Sequence, residues 1–157
     1  MNYIKITYPD INNGLGFRAT LWISGCNHKC IGCHNSWLQD YSIGKPLYLC
    51  KNELFNILNK QYIKGLTLSG GDPLSQSDDS LIELLQLLKE IKESFPNKDI
   101  WIYSGDIYEE AIKHPIKKNI IKLCDIMVDG PFIISKKDLS LPFRGSCNQR
   151  IIKLINE

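Results

Sequence analysis

Short apolar runs separated by small or polar turns form the basic pattern of this chain. The runs at residues 19–24, 65–69, 99–104 and 124–129 have the length and apolar density of buried strands. Each run ends in a turn of serine, glycine, cysteine or aspartate: Ser24-Gly25-Cys26, Ser69-Gly70-Gly71-Asp72, Ser104-Gly105-Asp106 and Asp129-Gly130. Four buried strands with chemically active turns at their carboxyl ends are therefore predicted.

Apolar residues between these strands recur at helical spacing. The strongest pattern follows i, i+3, i+4, i+7 and i+10 at Leu81, Leu84, Leu85, Leu88 and Ile91. Ser77 or Asp78 is available as its N-cap. Weaker patterns predict a helix over about 50–62 and another over 108–114 that is ended by Pro115.

Other parts of the chain carry weaker signals. Residues 3–8 alternate and stop at Pro9, which predicts a short edge strand. Residues 36–49 are expected to be irregular, and residues 132–135 are expected to add a further strand. No element is predicted after Arg144.

Strands that alternate with helices predict an α/β fold with mostly parallel strands and right-handed crossovers. Ligands of such folds bind at the carboxyl ends of the strands, where the four turns are expected to converge. A complete eight-fold barrel needs about 250 residues, and this chain has 157. The sequence therefore predicts one domain over residues 1–157, a shortened, open (βα) partial barrel.

Composition and charge narrow the function classes. The 19 basic and 17 acidic residues leave a net charge of +2, which argues against binding to nucleic acid or to membranes. No apolar run of about 18 residues and no leader pattern is present, so a cytoplasmic protein is expected. Lysines are enriched in one stretch, which favours a solvated surface, with a docking patch for an acidic partner as the alternative. These lysines are Lys113, Lys117, Lys118, Lys122, Lys136 and Lys137.

Three of the six cysteines, Cys26, Cys30 and Cys33, fall within eight residues directly after an apolar run. Three thiolates with no fourth nearby are typical of a metal centre that is left one ligand short, and such an open position marks catalytic sites. Zinc is the alternative, with His28 or His34 completing a Cys3His set. The remaining cysteines, Cys50, Cys124 and Cys147, are widely separated and are expected to be inert thiols.

The C-x3-C-x2-C spacing resembles the cluster loop of the radical S-adenosylmethionine (SAM) enzymes. The wider context resembles one group of glycyl-radical activases, the anaerobic ribonucleoside-triphosphate reductase activating proteins. The motifs that carry this resemblance span nearly the whole chain: Asn13 to Arg18, Ser69 to Pro73, Trp101 to Gly105, Val128 to Gly130 and Arg144 to Arg150.

The resemblance implies a set of ligands for two cofactors. Cys26, Cys30 and Cys33 would bind a 4Fe-4S cluster, and SAM would chelate the open iron. The motif Ser69, Gly70, Gly71 and Asp72 would hold the methionine amino group. The remaining SAM contacts would come from Gly32, Cys33 and His34 on the loop, with the His34 ring against the adenine, and from Ser104 and Asp129 at strand ends. The chemistry of Arg144 to Arg150 does not follow from the sequence.

The resemblance also implies an activity. One electron from the cluster would cleave SAM, and the resulting 5′-deoxyadenosyl radical would take a hydrogen atom from a glycine of the reductase large subunit. Reduced flavodoxin is the family's usual electron donor. Three alternatives are a radical-SAM enzyme with a small-molecule substrate, an activase of another glycyl-radical enzyme such as formate lyase, and a zinc-binding interaction module without catalysis.

Overall fold

The computed structural model describes residues 1–155 as an α/β fold built on one open sheet. The strands are Asn2–Asp10 (β1), Arg18–Ile23 (β2), Lys45–Pro46 (β3), Gly65–Gly70 (β4), Asp99–Tyr103 (β5), Ile126–Asp129 (β6) and Arg150–Lys153 (β7). The helices are Lys51–Leu58 (α1), Asp78–Ser94 (α2), Tyr108–Ala111 (α3) and Pro115–Leu123 (α4). Short 3-10 helices cover Ser36–Gln39, Leu47–Cys50 and Ile134–Lys136.

The seven strands follow the order β3-β1-β2-β4-β5-β6-β7. Neighbours among β2, β4, β5 and β6 pair in parallel, whereas β1 and β7 flank this centre in antiparallel orientation. The predicted α/β class with a mainly parallel centre is therefore confirmed. Because the four central strands run the same way, their carboxyl ends meet at one edge of the sheet.

The two faces of the central sheet have different chemistry. The outer face packs its aliphatic residues into the core with α1, α2 and α4, and consists of Ala19, Leu21, Ile23, Leu66, Leu68, Ile100, Ile102 and Met127. The inner face carries the alternate positions, which in β2 and β5 are polar or aromatic. Arg18 lies there, fully buried, with its Nε donating to Thr67 Oγ1 at 2.8 Å and its guanidinium over the Trp101 ring. This inner face leads toward the carboxyl ends of the strands.

The long amphipathic helix confirms its sequence pattern. In α2 the aliphatic residues Leu81, Leu84, Leu88 and Ile91 are buried. The Ser77 side chain accepts a hydrogen bond from the Ser80 amide, so Ser77 is the N-cap. Among the helices within residues 1–155, none has both the length and the apolar character that crossing a bilayer requires.

Several predictions about the elements are wrong at least in part. The first strand extends past Pro9 to Asp10, and β3 rather than β1 forms the sheet edge, since Asn2 and Tyr3 pair with Pro46 and Lys45. Residues 36–49, expected to be irregular, also contain short 3-10 turns and β3. Residues 132–135 do not form a strand; a 3-10 turn begins at Ile134.

The other corrections concern α1 and the chain from Pro115 onward. Pro115 does not only stop a helix: it begins α4, because proline fits the first helical turn, where no amide partner is needed. The segment after Arg144, for which no element was predicted, contains β7, which pairs with β6 from Ile126 to Asp129. The fourth predicted strand starts at Ile126 rather than at Cys124, and α1 is shorter than residues 50–62.

Candidate cluster and cofactor site

A cleft of about 580 Å³ opens where the central strands end. Nine of the predicted site residues line it: Cys26, Cys30, Cys33, His34, Ser69, Gly70, Gly71, Asp72 and Ser104. Two predicted residues, Gly32 and Asp129, do not. The topology therefore brings the cysteine loop, the glycine-rich turn and the end of β5 to one cavity.

The three loop cysteines are half-buried thiols, and no disulfide joins any of the six cysteines. Burial, together with the nearby Asp72 carboxylate, raises the pKa of Cys26 to about 11. As a thiol it is therefore protonated at neutral pH, and binding to iron or zinc would release that proton. The other three cysteines stay outside the cleft lining: Cys50 and Cys124 are buried, and Cys147 is exposed on the chain after β6.

The spacing of the donor atoms distinguishes a cluster from a single ion. Three thiolates on one tetrahedral zinc would lie about 3.8 Å apart, given Zn–S bonds of about 2.3 Å. Within residues 1–155, the one trio of Cys, His, Asp or Glu donors lying mutually within 4.8 Å is Cys26, His28 and Asp72, which contains a single cysteine. The three cysteines are thus not gathered around one ion. Free thiols spread along the wall of one cavity fit a multi-iron cluster, in which each thiolate binds a different iron.

The cysteine loop is tied to the neighbouring strand ends. The Asp72 amide donates to Gly25 O at 2.9 Å, and the Gly71 amide donates to Ile23 O at 2.8 Å. Asn27 and Ser75 are joined both by a bond from the Asn27 amide and by a short side-chain bond. These bonds hold the start of the loop against the turn that follows β4.

Glycines permit this close approach. A Cβ on Gly70 would lie 2.2 Å from Ile23 O, and one on Gly71 would lie 2.5 Å from Gly25 O, both backbone atoms. Any larger residue would push the turn after β4 away from the cysteine loop. Gly32 has a related role: its φ is +74°, and a Cβ there would meet Ile134 Cδ1 at 2.5 Å.

The Asp72 carboxylate is the hub of the site. It is buried, and its Oδ2 accepts hydrogen bonds from His28 Nε2, Ser104 Oγ and the Gly105 amide at 2.7, 3.0 and 2.8 Å. Its Oδ1 accepts from the Leu74 amide at 2.8 Å. Four donors use the usual capacity of a carboxylate.

His28 connects this hub to the surface. The hydrogen bond that the ring donates to Asp72 outweighs partial burial and raises the pKa of the imidazole. Asp106 Oδ1 lies 3.5 Å from the same ring nitrogen, and Lys117 Nζ pairs with Asp106 at 2.6 Å. Sequence reasoning considered His28 only as a zinc ligand; its contact with Asp72 depends on tertiary packing.

The other predicted contacts are placed as follows. The His34 ring packs against Phe132, with centroids 5.5 Å apart. The Asp129 carboxylate accepts from Arg150 Nε at 3.0 Å and from the Tyr108 amide at 2.8 Å. Asp129 thus joins β6 to β7 and to α3, and its role as a SAM contact stays a prediction.

The segment between β6 and β7 closes one side of the cleft. Tyr103 donates its hydroxyl to Phe143 O at 2.7 Å, and the Phe143 ring packs edge-on against Trp101. Gln149 fixes the turn: its Oε1 accepts from the Gly145 amide at 2.9 Å, and its Nε2 donates to Gly130 O at 3.0 Å. The motif from Arg144 to Arg150 therefore builds a cleft wall, which sequence reasoning did not foresee.

The chain is similar to known proteins over nearly its whole length. A family model described as a 4Fe-4S single cluster domain matches residues 12–152. The chain is 38% identical over 156 residues to a protein of Pasteurella multocida (strain Pm70), covering 98% of both chains. It is also 38% identical to a protein of Escherichia coli (strain K12), over 95% of this chain and 96% of the relative, and to one of Enterobacteria phage T4, over 96% and 93%. All three relatives are named anaerobic ribonucleoside-triphosphate reductase-activating protein.

Proposed function

The chain belongs to the family of anaerobic ribonucleoside-triphosphate reductase-activating proteins, and on that premise we propose that it generates the glycyl radical of the anaerobic reductase from SAM. The observation that carries the proposal is the cleft lined by three free thiols, Cys26, Cys30 and Cys33, and by no other cysteine of residues 1–155. A cubic cluster held there keeps one iron for a ligand other than the protein.

Cys26, Cys30 and Cys33 would hold the 4Fe-4S cluster. When bound, the cluster would supply the one electron that cleaves SAM into methionine and a 5′-deoxyadenosyl radical, and this radical would take a hydrogen atom from a glycine of the reductase large subunit. The protein's part is to place the ligand and to hold the loop. Gly70, Gly71, Ser104 and His34 line the cleft.

The open edge of the sheet supports a macromolecular substrate. Leu139 lines the cleft and is 83% exposed, and Ile31, which lies between the lining residues Cys30 and Cys33 in the sequence, is 79% exposed. Exposed aliphatic side chains at or near a cavity suit contact with another protein. This fits the reductase as partner, with the cofactor positioned in a shortened, open radical-SAM partial barrel.

The electron donor and the cellular setting complete the proposal. We take reduced flavodoxin as the donor, as the resemblance to the family implies. We place the protein in the cytoplasm, where thiols remain reduced. The absence of disulfides among its six cysteines supports this setting.

The test is anaerobic reconstitution with iron and sulfide. The loaded protein, mixed with SAM, a reductant and the anaerobic reductase, should give a glycyl-radical signal by electron paramagnetic resonance. Cys30→Ala should lose iron and signal, whereas Cys147→Ala, which removes an exposed thiol outside the cleft, should keep both.

Three results would contradict the proposal. Zinc in place of iron and sulfide in anaerobically purified protein would indicate the interaction module. A radical on formate lyase but not on the reductase would indicate an activase of another enzyme. Cleavage of SAM without a radical on any reductase glycine would indicate a small-molecule substrate.

A further inference from the structure

The lysines of the lysine-rich stretch do not all have the same surroundings. Lys113 Nζ pairs with Glu110 at 2.7 Å, and Lys117 Nζ pairs with Asp106 at 2.6 Å. Lys122 lies near the end of α4, which leads to the amino end of β6. Two of these lysines are thus neutralised by carboxylates, and the third lies toward the edge of the sheet away from the cleft.

Lys136 and Lys137 lie on the segment between β6 and β7, which forms one side of the cleft. Phe132 and Leu139, which flank them in the sequence, both line the cleft, and the two lysines between them are exposed. Two positive charges of the lysine-rich stretch therefore border the cleft.

Lys29 adds a third positive charge from the cysteine loop. It is exposed and lies between His28 and Cys30, which both line the cleft. The loop and the segment after β6 lie against each other, because a Cβ on Gly32 would meet Ile134 Cδ1 at 2.5 Å. Three exposed lysines from two adjacent elements thus border the cleft, and we call them the basic rim: Lys29, Lys136 and Lys137.

Carboxylates of the protein leave the basic rim unneutralised. Within residues 1–155, the lysine side chains that form ion pairs belong to other positions: Lys51, Lys92, Lys113 and Lys117. Asp138 is the one acidic residue in the two bordering segments, residues 26–39 and 130–149. Hydrogen bonds from Ser140 and the nearby positive charge of Arg144 lower the pKa of this carboxyl. An excess of positive charge therefore remains beside the cleft, although the net charge of the chain is only +2.

Exposed aliphatic side chains accompany these charges. Ile31, Ile134 and Leu139 are each more than half exposed. Ile134 belongs to the same 3-10 turn as Lys136, and Ile31 lies two residues after Lys29. Apolar contacts surrounded by a polar rim are the usual composition of a protein–protein interface. The surface therefore fits a protein that offers both apolar contacts and carboxylates.

We propose that the basic rim binds an acidic surface of the reductase large subunit beside its radical glycine. This inference rests on the proposed function, which requires that glycine to enter the cleft. A protein that inserts a glycine-bearing loop into the cleft lies against the segments that border it. Opposite charges at the rim of such an interface speed association and fix the orientation of the partner, and salt weakens both effects.

The test is glycyl-radical formation by the cluster-loaded protein with SAM and dithionite, a small reductant that needs no docking surface. The triple variant Lys29→Gln, Lys136→Gln and Lys137→Gln should need about tenfold more reductase to reach half the maximal rate at low salt. The difference from the unaltered protein should shrink as the salt concentration rises. Reductive cleavage of SAM in the absence of the reductase should be unchanged, which shows that the variant is folded and loaded.

A second triple variant is the matched control: Lys64→Gln, Lys122→Gln and Lys153→Gln. It removes the same charge from exposed lysines toward the amino ends of the central strands, since Lys64 precedes β4, Lys122 precedes β6 and Lys153 pairs with Ile126. It should activate the reductase as the unaltered protein does. Equal effects of the two triple variants, or no effect of either, would overturn the proposal.

Two further outcomes distinguish the partner and the function. If the rim variant slowed reduction of the cluster by reduced flavodoxin but formed the radical normally with dithionite, the basic rim would bind the electron donor and the proposal would be wrong. If the unaltered loaded protein formed no radical on the reductase, the proposed function itself would fail, together with this inference.

Discussion

The Nε2 of His28 lies 2.7 Å from Oδ2 of Asp72, so a side chain of the cysteine loop is bonded to the turn after the neighbouring strand. The same oxygen accepts from Ser104 and from the Gly105 amide, which follow β5. One carboxylate thus joins the ends of three parallel strands. Whatever contact Asp72 makes with a ligand, it also holds the loop that carries the thiols.

Replacing this carboxylate should loosen the loop. Asp72→Asn keeps the size but removes the charge and puts an N–H₂ group where donors already point. We expect a loss of about 3 kcal/mol in the free energy of unfolding, which is the cost of removing one partner from a buried pair of charged groups. Urea unfolding of the metal-free protein measures it. Asp79→Asn, on an exposed carboxylate of α2, should cost well under half as much; equal costs would refute the role of Asp72.

Alanine substitutions at two glycines at strand ends distinguish the loss of stability caused by crowding from the loss caused by backbone strain. Gly71 has no positive φ, but a Cβ would meet Gly25 O and Leu38 O at 2.5 and 2.7 Å. Gly130 has a φ of +96°, but a Cβ there would find nothing nearer than 3.8 Å. Gly130→Ala should cost about 1–2 kcal/mol from strain alone, and Gly71→Ala about 3 kcal/mol, since backbone cannot give way.

Unfolding curves of the two alanine variants test this order. Gly71→Ala should also lower the iron content after reconstitution, because Gly25 O accepts from the Asp72 amide. Gly130→Ala should bind iron normally. The reverse order of stabilities would show that the turn after β4 can shift away from the loop.

Acid stability should depend on Glu109. The hydrogen bond from Arg150 lowers the pKa of this carboxylate from 4.5 to about 2. Because the folded-state pKa is the lower one, the contribution of Glu109 to stability is complete above about pH 4.5 and is lost as the pH falls toward 2. Glu109→Gln should therefore lose less thermal stability over that interval than the unaltered protein.

The measurement is the Tm as a function of pH. Glu93→Gln is the control, since Glu93 is exposed and forms no ion pair within residues 1–155. Its Tm should fall as steeply as that of the unaltered protein. If Glu109→Gln gave a parallel curve too, the bond to Arg150 would not persist in solution.

The cysteines outside the cleft should differ sharply in reactivity. Burial raises the pKa of Cys50 to about 12 and that of Cys124 above the usual range, while Cys147 is exposed. Iodoacetamide should therefore modify Cys147 within minutes in the native protein and leave Cys50 and Cys124 intact until denaturant is added. Peptide mass spectrometry gives the order, and early labelling of Cys124 would contradict its burial.

Two sequence signals predicted most of the regular elements. The aliphatic positions of α2 were found because burial repeats at helical spacing, and the central strands were found because they are short apolar runs that end in turns. Strand β7 was not predicted, since it is short and largely exposed. It depends on pairing with β6 and on the contact between Arg150 and Asp129. Pro115 was misjudged because proline favours a helix start as much as it opposes a helix interior.

The candidate site likewise has features that the sequence predicted and features that it did not. The cysteines, the glycine-rich turn and Ser104 each come directly after a central strand. Because parallel strands end at one edge of the sheet, their convergence in the cleft could be predicted from the sequence. The contacts of Asp72 with His28, Ser104 and Gly105 could not, since these residues lie on segments distant in sequence. The motif from Arg144 to Arg150 was visible as a signal, but its role as a cleft wall depends on where Gln149 and Tyr103 anchor it.

The ties between the cysteine loop and the turn after β4 have a consequence for protein engineering. His28 and Asn27 are anchored to Asp72 and Ser75, and Gly25 to Asp72, so the loop does not determine its own shape. Grafted onto an unrelated scaffold, residues 26–35 would bring the thiols but not their arrangement. The smallest transferable unit is the set of neighbouring strand ends together with the glycines that let them touch.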